Sequence, residues 1–498
     1  MNGFMRAAAL ALSIFIAGQA QAATGGTDWL VKVETKRTEA FTGQFKMMGA
    51  KLETLTRPLR DGTSWVRLTA PNKAKAFSLA ALRAVPGVKF VQPNYRVHLL
   101  NNYKVEDAKT LQQLKKVAEQ GGIDDILGGP KPDNPEIPRA SNPGSGGDPL
   151  MGSQWGMNDN NIRAGWNGNK GEGVVVAVLD SGVDYTHEDL VDNMWRNPGE
   201  TGNDSQGRDK STNGFDDDGN GYIDDVVGWD FVSNDNKPFD LTASLMDMLT
   251  GGGNPGHGTH CAGNVAGRGE NGKGIAGVAP RAKIMALRFL SEKGEGSSDG
   301  AIKAIQYSVK MGVKISSNSW GSEGEDPADA AGNQALRDAI EDARYAGQLF
   351  IAAAGNGRVS GTAANGYDND TDAKPGYPAS YPHENIVSVA ALDANDQLGV
   401  FSNWGLTTVD IGAPGVKVFS TTSDGKYSDT VVDLPMIGIT ATWDGTSMAT
   451  PHVAGAAALY LADHPEASAQ QIKWAIMGSA KSINSLNGKV VTGGKLSV

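Results

Sequence analysis

Three side chains in this sequence have the types that acyl transfer requires. Ser447 is a nucleophile, His257 a base to take its proton, and Asp180 a carboxylate to fix the base's tautomer and stabilise its cation. Ser447 lies in Asp444-Gly445-Thr446-Ser447-Met448-Ala449-Thr450-Pro451-His452, just ahead of an apolar helical run over 453–461. Gly445 permits close approach of the chain, and a helix N-terminus places partial positive charge beside the hydroxyl. His257 lies in Gly256-His257-Gly258-Thr259-His260-Cys261-Ala262-Gly263, where small neighbours allow tight packing around an imidazole. Asp180 directly follows the apolar run 174–179, so its carboxylate is expected at the carboxyl end of a strand. Asn356 follows Ala352-Ala353-Ala354-Gly355 at another strand end, where its amide could donate to a developing oxyanion. Each type is also common in turns, and the sequence leaves open whether the four meet in space.

The elements that must position them are legible as runs. Near-continuous apolar strands over 174–179, 284–289, 314–317, 349–353 and 386–390 alternate with amphipathic helices carrying Ile302, Ile305 and Val309, then Leu336, Ile340 and Ala343. Buried strands separated by helices predict an α/β fold with a doubly wound, mostly parallel sheet, its site at the strands' carboxyl ends. Upstream, strand patterns at 29–33, 51–55, 65–68 and 89–98 and helix patterns at 41–48 and 74–85 predict βαββαβ, a small α+β ferredoxin-like module. Between them, 101–147 is rich in Pro, Gly and Ser, with one short helical patch at Leu111, Leu114 and Val117, and reads as a flexible linker.

The formal net charge of -11 removes the attraction to phosphate backbones or anionic lipid, so neither nucleic acid nor membrane is an expected partner. Residues 1–22 read as an export signal: Arg6, an apolar run over 7–17, then Ala20-Gln21-Ala22 as a cleavage site. That run is too short to span a bilayer, so a secreted protein, periplasmic or extracellular, is expected. Cys261 is the only cysteine, which excludes an intrachain disulfide and points to bound metal as the staple. Asp216, Asp218 and Asn220 alternate ahead of Gly221, matching the front half of an EF-hand calcium loop. Val227 stands at the twelfth position of that loop, and Asp224 or Asp225 is left to supply the missing oxygen.

The order Asp, His, Ser, with Val178-Leu179-Asp180-Ser181-Gly182-Val183, the His257 motif and Gly445-Thr446-Ser447-Met448-Ala449-Thr450-Pro451-His452-Val453-Ala454-Gly455, resembles the subtilisin-like serine peptidase family, the subtilases. The resemblance runs from Asp148 to the C-terminus. It implies a serine endopeptidase with Asp180 as orienting acid, His257 as general base and acid, Ser447 as nucleophile and Asn356 as oxyanion donor. It also implies a substrate cleft, with Gly294-Glu295-Gly296 and Ser319-Trp320-Gly321 as the strands that hold a substrate backbone. Ala353, Ala354 and Gly376 would then wall and floor the S1 pocket, and the peptide bond before Pro378 would be cis. Reading backbone in this way implies broad specificity toward protein or peptide substrates. Glu295 is either a rim charge that favours basic substrate residues or a solvated one. The resemblance further assigns Asp148, Asp189 and Asn271 to a strong structural Ca2+ site, beside the one expected in the 216–225 loop. It makes Cys261 a buried thiol beneath the histidine, with His260 and His452 as packing residues. The expected organisation is signal peptide 1–22, propeptide 23–100, linker 101–147 and peptidase domain 148–498. The propeptide would act as chaperone and intramolecular inhibitor until self-cleavage somewhere from 98 to 147, and a monomer is expected. Two other readings compete: a catalytically silent calcium-stabilised binder, and an α/β-hydrolase-type esterase. Gly445-Thr446-Ser447-Met448-Ala449 lacks the last glycine of the esterase elbow, and the order of the triad is wrong for it.

Overall fold

The computed structural model describes residues 28–71, 75–100, scattered positions within 109–116, and 134–139, 146–322, 333–360, 363–435 and 438–498. The expected signal segment and the patch at Leu111, Leu114 and Val117 lie outside the described residues.

The N-terminal module is built from β1 (Asp28–Glu34), α1 (Thr38–Met47), β2 (Lys51–Thr54), β3 (Thr63–Thr69), α2 (Leu79–Arg83) and β4 (Val88–Pro93). Its antiparallel sheet has the order β2-β3-β1-β4, the ferredoxin-like arrangement. One face buries Trp29, Val31 and Val33 against Phe41, Phe45, Leu82 and Val91. The alternate residues Leu30 and Trp65 face the other way, into a core shared with the larger domain. The second helix is shorter than its sequence pattern, because Ser78 caps it by accepting from the Ala81 N–H at 3.3 Å and a 3-10 turn, Lys75–Phe77, precedes it. The predicted strand 89–98 is in fact two: β4 ends at Pro93, and β5 (Arg96–Leu99) leaves that sheet altogether. Proline lacks the N–H that a continuing ladder needs.

The larger domain contains β6 (Val175–Asp180), β7 (Gly228–Asp230), α3 (Leu245–Gly251), α4 (His257–Ala266), β8 (Lys283–Arg288), β9 (Glu295–Ser297), α5 (Ser298–Lys310), β10 (Ile315–Asn318), β11 (Trp320–Gly321), α6 (Gln334–Tyr345) and β12 (Leu349–Ala353). There follow a hairpin of β13 (Arg358–Ser360) and β14 (Ala363–Asn365), β15 (Ile386–Leu392), β16 (Ile411–Pro414), hairpins β17 (Ser420–Thr422) with β18 (Lys426–Ser428) and β19 (Thr430–Leu434) with β20 (Ile439–Thr442), α7 (Thr446–Asp463), α8 (Ala469–Gly478), β21 (Lys481–Ser482) and β22 (Gly494–Lys495). The main sheet runs β21-β22-β16-β15-β12-β10-β6-β8-β7, and every pairing is parallel except that of β21 with β22. The sheet is thus doubly wound and mostly parallel, with α4, α7 and α8 contributing to one core and α5 and α6 to the other. Apolar strands with no alternation are what two covered faces require.

The α4 and α7 helices meet where neither carries bulk. A Cβ on Gly455 would stand 2.5 Å from Val278 Cβ and 3.1 Å from the Val265 carbonyl oxygen, so glycine sets how closely α7 lies on α4. Pro451, inside α7, cannot donate to the Ser447 carbonyl, and Ser319 Oγ donates to that oxygen instead at 2.9 Å. Gly455→Ala is therefore expected to lower stability by about 1–3 kcal/mol through overpacking. Urea unfolding in a Ser447→Ala background would read this as a lower midpoint at unchanged slope, and an unchanged midpoint would refute the close-packing account.

Candidate active site

The four sequence candidates converge at the carboxyl edge of the sheet. Asp180 ends β6, His257 opens α4, Asn356 follows β12 and Ser447 occupies the first turn of α7. His257 Nδ1 lies 2.7 Å from Asp180 Oδ1, and both residues are 1% exposed. Gly258 makes this approach possible: a Cβ there would fall 2.0 Å from the Gly182 carbonyl oxygen and 3.1 Å from Asp180 Cβ. Burial alone would lower the imidazole's pKa, but the Asp180 carboxylate overrides it and holds His257 well above the ordinary histidine value. The other ring nitrogen, Nε2, has no partner among the described residues.

Asn356 accepts from the Thr446 N–H at 2.8 Å and from Thr446 Oγ1 at 2.9 Å through its Oδ1. That fixes the amide so that Nδ2 is buried and has no partner among the described residues. A Cβ on Gly445 would lie only 3.2 Å from this nitrogen, which accounts for the glycine in the serine motif. The Ser447 hydroxyl faces two carbonyl oxygens, that of Ser319 at 3.0 Å and that of Leu100 at 3.3 Å.

Leu100 is there because β5 lies between β9 and β11, antiparallel to both, in a three-stranded sheet. Val97 pairs with Gly296, His98 with Glu295 and Gly321, and Leu99 with Trp320, and the Leu99 N–H donates to the Gly294 carbonyl at 2.9 Å. Val97, Leu99 and Leu100 are buried, whereas Arg96 reaches out to Glu295 at 3.7 Å. Both Cδ atoms of Leu100 lie 3.6 Å from where a Cβ on Gly321 would stand. Gly376 approaches the Ala354 carbonyl, where a Cβ would stand at 2.8 Å, and its N–H donates to Asn369 at 3.1 Å. The Ala354 side chain itself packs with Ala390, Leu392 and Val409, while Ala353 is 3% exposed at the end of β12. The Tyr377-Pro378 bond is cis.

A second layer of polar residues stands behind Asp180 and His257 and carries no local sequence signature. Asn254 Oδ1 accepts from the Gly256 and His257 N–H groups at 3.0 and 2.9 Å. Asp240, 1% exposed, accepts from Ser181 Oγ, Asn254 Nδ2, and both the N–H and hydroxyl of Thr259. The remaining polar neighbours have structural partners. His260 bonds the Val418 carbonyl and stacks on Trp443 at 4.2 Å, and His452 bonds the Met448 carbonyl. Burial lowers their pKa values to about 3 and about 4, so both stay neutral. Cys261 Sγ lies 3.9 Å from His257 Nδ1, and burial pushes the thiol's pKa up.

Carboxylates gather at two further places. Glu200, Asp218 and Asp225 present oxygens within 4.8 Å of one another. Glu200 is fully buried, accepts from the Asp217 and Asp218 N–H groups through Oε1, and leaves Oε2 buried with no partner among the described residues. Burial, reinforced by the neighbouring carboxylates, raises Glu200 to about 7 and Asp225 to about 6. An orphaned buried oxygen and three mutually repelling carboxylates are a donor set that a hard cation fits. Asp225 also accepts from Asn197, Asn220 and Tyr307, whereas Asp224 accepts from the Gly214 N–H and Asp216 closes the loop on the Asn220 and Gly221 N–H groups. At the other place Asn271 Nδ2 donates to Asp189 Oδ1 at 2.7 Å, and the Asn271 N–H reaches Asp148 at 3.4 Å. Asn271 is thus hydrogen-bonded to both carboxylates, while its own Oδ1 accepts from the Lys273 N–H. Glu200 escaped the sequence reading because it lies outside the 216–225 loop.

No helix among the described residues is long and apolar enough to cross a membrane. A family model described as the Subtilase family matches residues 171–493. The chain is 33% identical over 338 residues to thermitase of Thermoactinomyces vulgaris, spanning 68% of this chain and 92% of that one. It is 34% identical over 310 residues to a thermophilic serine proteinase of Bacillus sp. strain AK1, spanning 62% and 57% respectively. To subtilisin DY of Bacillus licheniformis it is 33% identical over 228 residues, spanning 46% and 71%. With the Asp-His-Ser constellation assembled on this sheet, the chain belongs to the subtilase family and is a subtilisin-type serine endopeptidase.

Proposed function

We propose that this enzyme is a secreted, calcium-stabilised endopeptidase of broad specificity that frees itself from its own N-terminal module by cutting the Leu100–Asn101 bond. The observation that carries this reading is the Leu100 carbonyl at Ser447 Oγ, at the end of a strand seated between β9 and β11. A substrate would bind as β5 does, through backbone bonds that accept any sequence, with buried side chains at the positions of Val97, Leu99 and Leu100 adding apolar preference. The exposed Glu295, already reached by Arg96, favours a basic residue four positions before the scissile one.

Ser447 attacks the carbonyl carbon as its proton passes to His257 Nε2, while Asp180 holds Nδ1–H and stabilises the imidazolium. Asn356 Nδ2 and the Ser447 N–H, which has no acceptor within the first turn of α7, stabilise the oxyanion. His257 then protonates the leaving amine, and water, deprotonated by the same imidazole, releases the acid from the acyl-enzyme.

The N-terminal module is suited to two roles before release. It fills the groove, and it caps two helices of the larger domain: Asn94 Oδ1 accepts from the Asp299 N–H at 3.1 Å and Gln92 Oε1 from the Ala335 N–H at 3.0 Å. Capping satisfies donors that the helix leaves open, a reason for folding to proceed on this template. Arg67 and Asn94 both bond Asp299, which adds charge-assisted contacts to the same seam. Calcium would be held by Glu200, Asp218 and Asp225, and by Asp148, Asp189 and Asn271. Its charge would offset the repulsion within each group. Export rests on the character of residues 1–22.

Three outcomes are expected. Wild type expressed without residues 1–22 should shed a fragment ending at Leu100, while Ser447→Ala stays intact by mass; a first cut at another bond would overturn the register argument. Asn356→Ala should lower kcat about 10²–10³-fold with KM nearly unchanged, as loss of one oxyanion donor does. Calcium removal should lower the thermal midpoint and hasten autolysis, and Glu200→Gln should lessen that dependence. A midpoint insensitive to verified calcium removal would eliminate the structural role.

A further inference from the structure

Residues 134–139, Asn-Pro-Glu-Ile-Pro-Arg, fall within the stretch whose composition reads as linker, yet they are seated on the larger domain. The Tyr185 hydroxyl donates to the Pro135 carbonyl at 2.7 Å, and Arg196 Nη2 donates to the Pro138 carbonyl at 2.7 Å. Tyr185 is fully buried, stacked edge-on against Phe239 at 5.3 Å, so its hydroxyl has no solvent to fall back on. Ile137, between the two prolines, packs against the main core. Two ion pairs flank the contact, Glu136 with Lys237 at 2.5 Å and Arg139 with Asp209 at 3.1 Å. With Glu136 85% and Arg139 92% exposed, those pairs contribute little, and the two carbonyl bonds and Ile137 carry the attachment.

The match is one of complementary chemistry. Each proline offers the backbone an acceptor and no donor, and Tyr185 and Arg196 meet the two proline carbonyls with donors. Fixed proline φ angles also reduce the entropy lost on ordering the segment. The residues that receive it are those that frame the carboxylate cluster. Arg196 adjoins Asn197, which bonds Asp218 and Asp225, and Asp209 caps the 3-10 turn whose Lys210 bonds the Gly199 carbonyl beside Glu200.

We propose that residues 134–139 are a retained arm of the mature enzyme, left in place by maturation, and that the arm clamps the carboxylate-bearing segment 197–236 to the sheet. The final N-terminus then lies between Asn101 and Asn134, well ahead of the expected domain start at Asp148. Hydrolysis, with water supplying the hydroxyl of the new acid and the proton of the new amine, stops at the arm. A bond must sit extended in the catalytic groove to be cut, and the arm must first leave Tyr185 and Arg196 to do so. The placement of the N-terminus rests on the maturation reading above, while the clamp does not.

N-terminal sequencing and intact mass of the full chain after processing test the first part. A mature chain beginning at or before Asn134 is the expected result, and one beginning at Pro135 or later overturns it. If wild type is not processed at all, the maturation reading falls with the predicted N-terminus, and the clamp is decided separately. In the Ser447→Ala full chain, Tyr185→Phe keeps the ring and removes the hydroxyl. Amide hydrogen exchange over 197–236 should then rise about fivefold, the order expected for one lost hydrogen bond. Exchange unchanged in both Tyr185→Phe and Ile137→Ser would show that the arm clamps nothing.

Discussion

A carboxylate and an imidazole, Asp180 and His257, lie 2.7 Å apart with each 1% exposed, and taking such a pair out of water is costly unless the surroundings replace the solvent. Much of the domain's architecture serves that replacement. The Ser181 N–H and hydroxyl bond Asp180 Oδ1, Asn254 holds the backbone of His257, and Asp240 gathers Ser181, Asn254 and Thr259 into one network. Asp240 is a second buried acid, but four donors satisfy it, so it braces the site rather than perturbing the pair. Such a network needs fixed geometry, which the parallel strands and the glycine-mediated contact of α4 with α7 provide.

The groove follows from the same economy of backbone groups. Two short strands, β9 and β11, turn their edges toward β5 beside Ser447, and such an edge is a template for an extended chain. The protein's own β5 completes the sheet, and in the proposed function a substrate would use the same backbone bonds. Pro93 makes this possible by ending β4 and letting the chain leave the N-terminal sheet. Pro451 acts in a related way inside α7, where the missing N–H frees the Ser447 carbonyl for Ser319 and ties the nucleophile's backbone to the groove strand.

The carboxylate-bearing segment 197–236 shows the opposite balance. Glu200, Asp218 and Asp225 present oxygens close to one another, and burial of Glu200 and Asp225 raises the cost of their charges. The arm at 134–139 and the cluster meet through Arg196 and Asn197, which places a mechanical and an electrostatic restraint on the same turn of chain.

The α/β class, the positions of the buried strands and the four candidate catalytic side chains are all legible in the local sequence. Those features are local: a strand covered on both faces must be apolar along its length, and each catalytic residue sits in a short motif whose small neighbours are required for close approach. The tertiary structure alone decided that 89–98 divides between two sheets, that Leu100 is the residue at Ser447, that Glu200 joins the 216–225 loop, that Asp240 stands behind the triad, and that 134–139 is anchored. Each of these depends on register or on contact between segments far apart in the chain. The information lies in the partner surface, such as the donors of Tyr185 and Arg196 or the edges of β9 and β11 that receive β5, and no pattern within the segment itself records it.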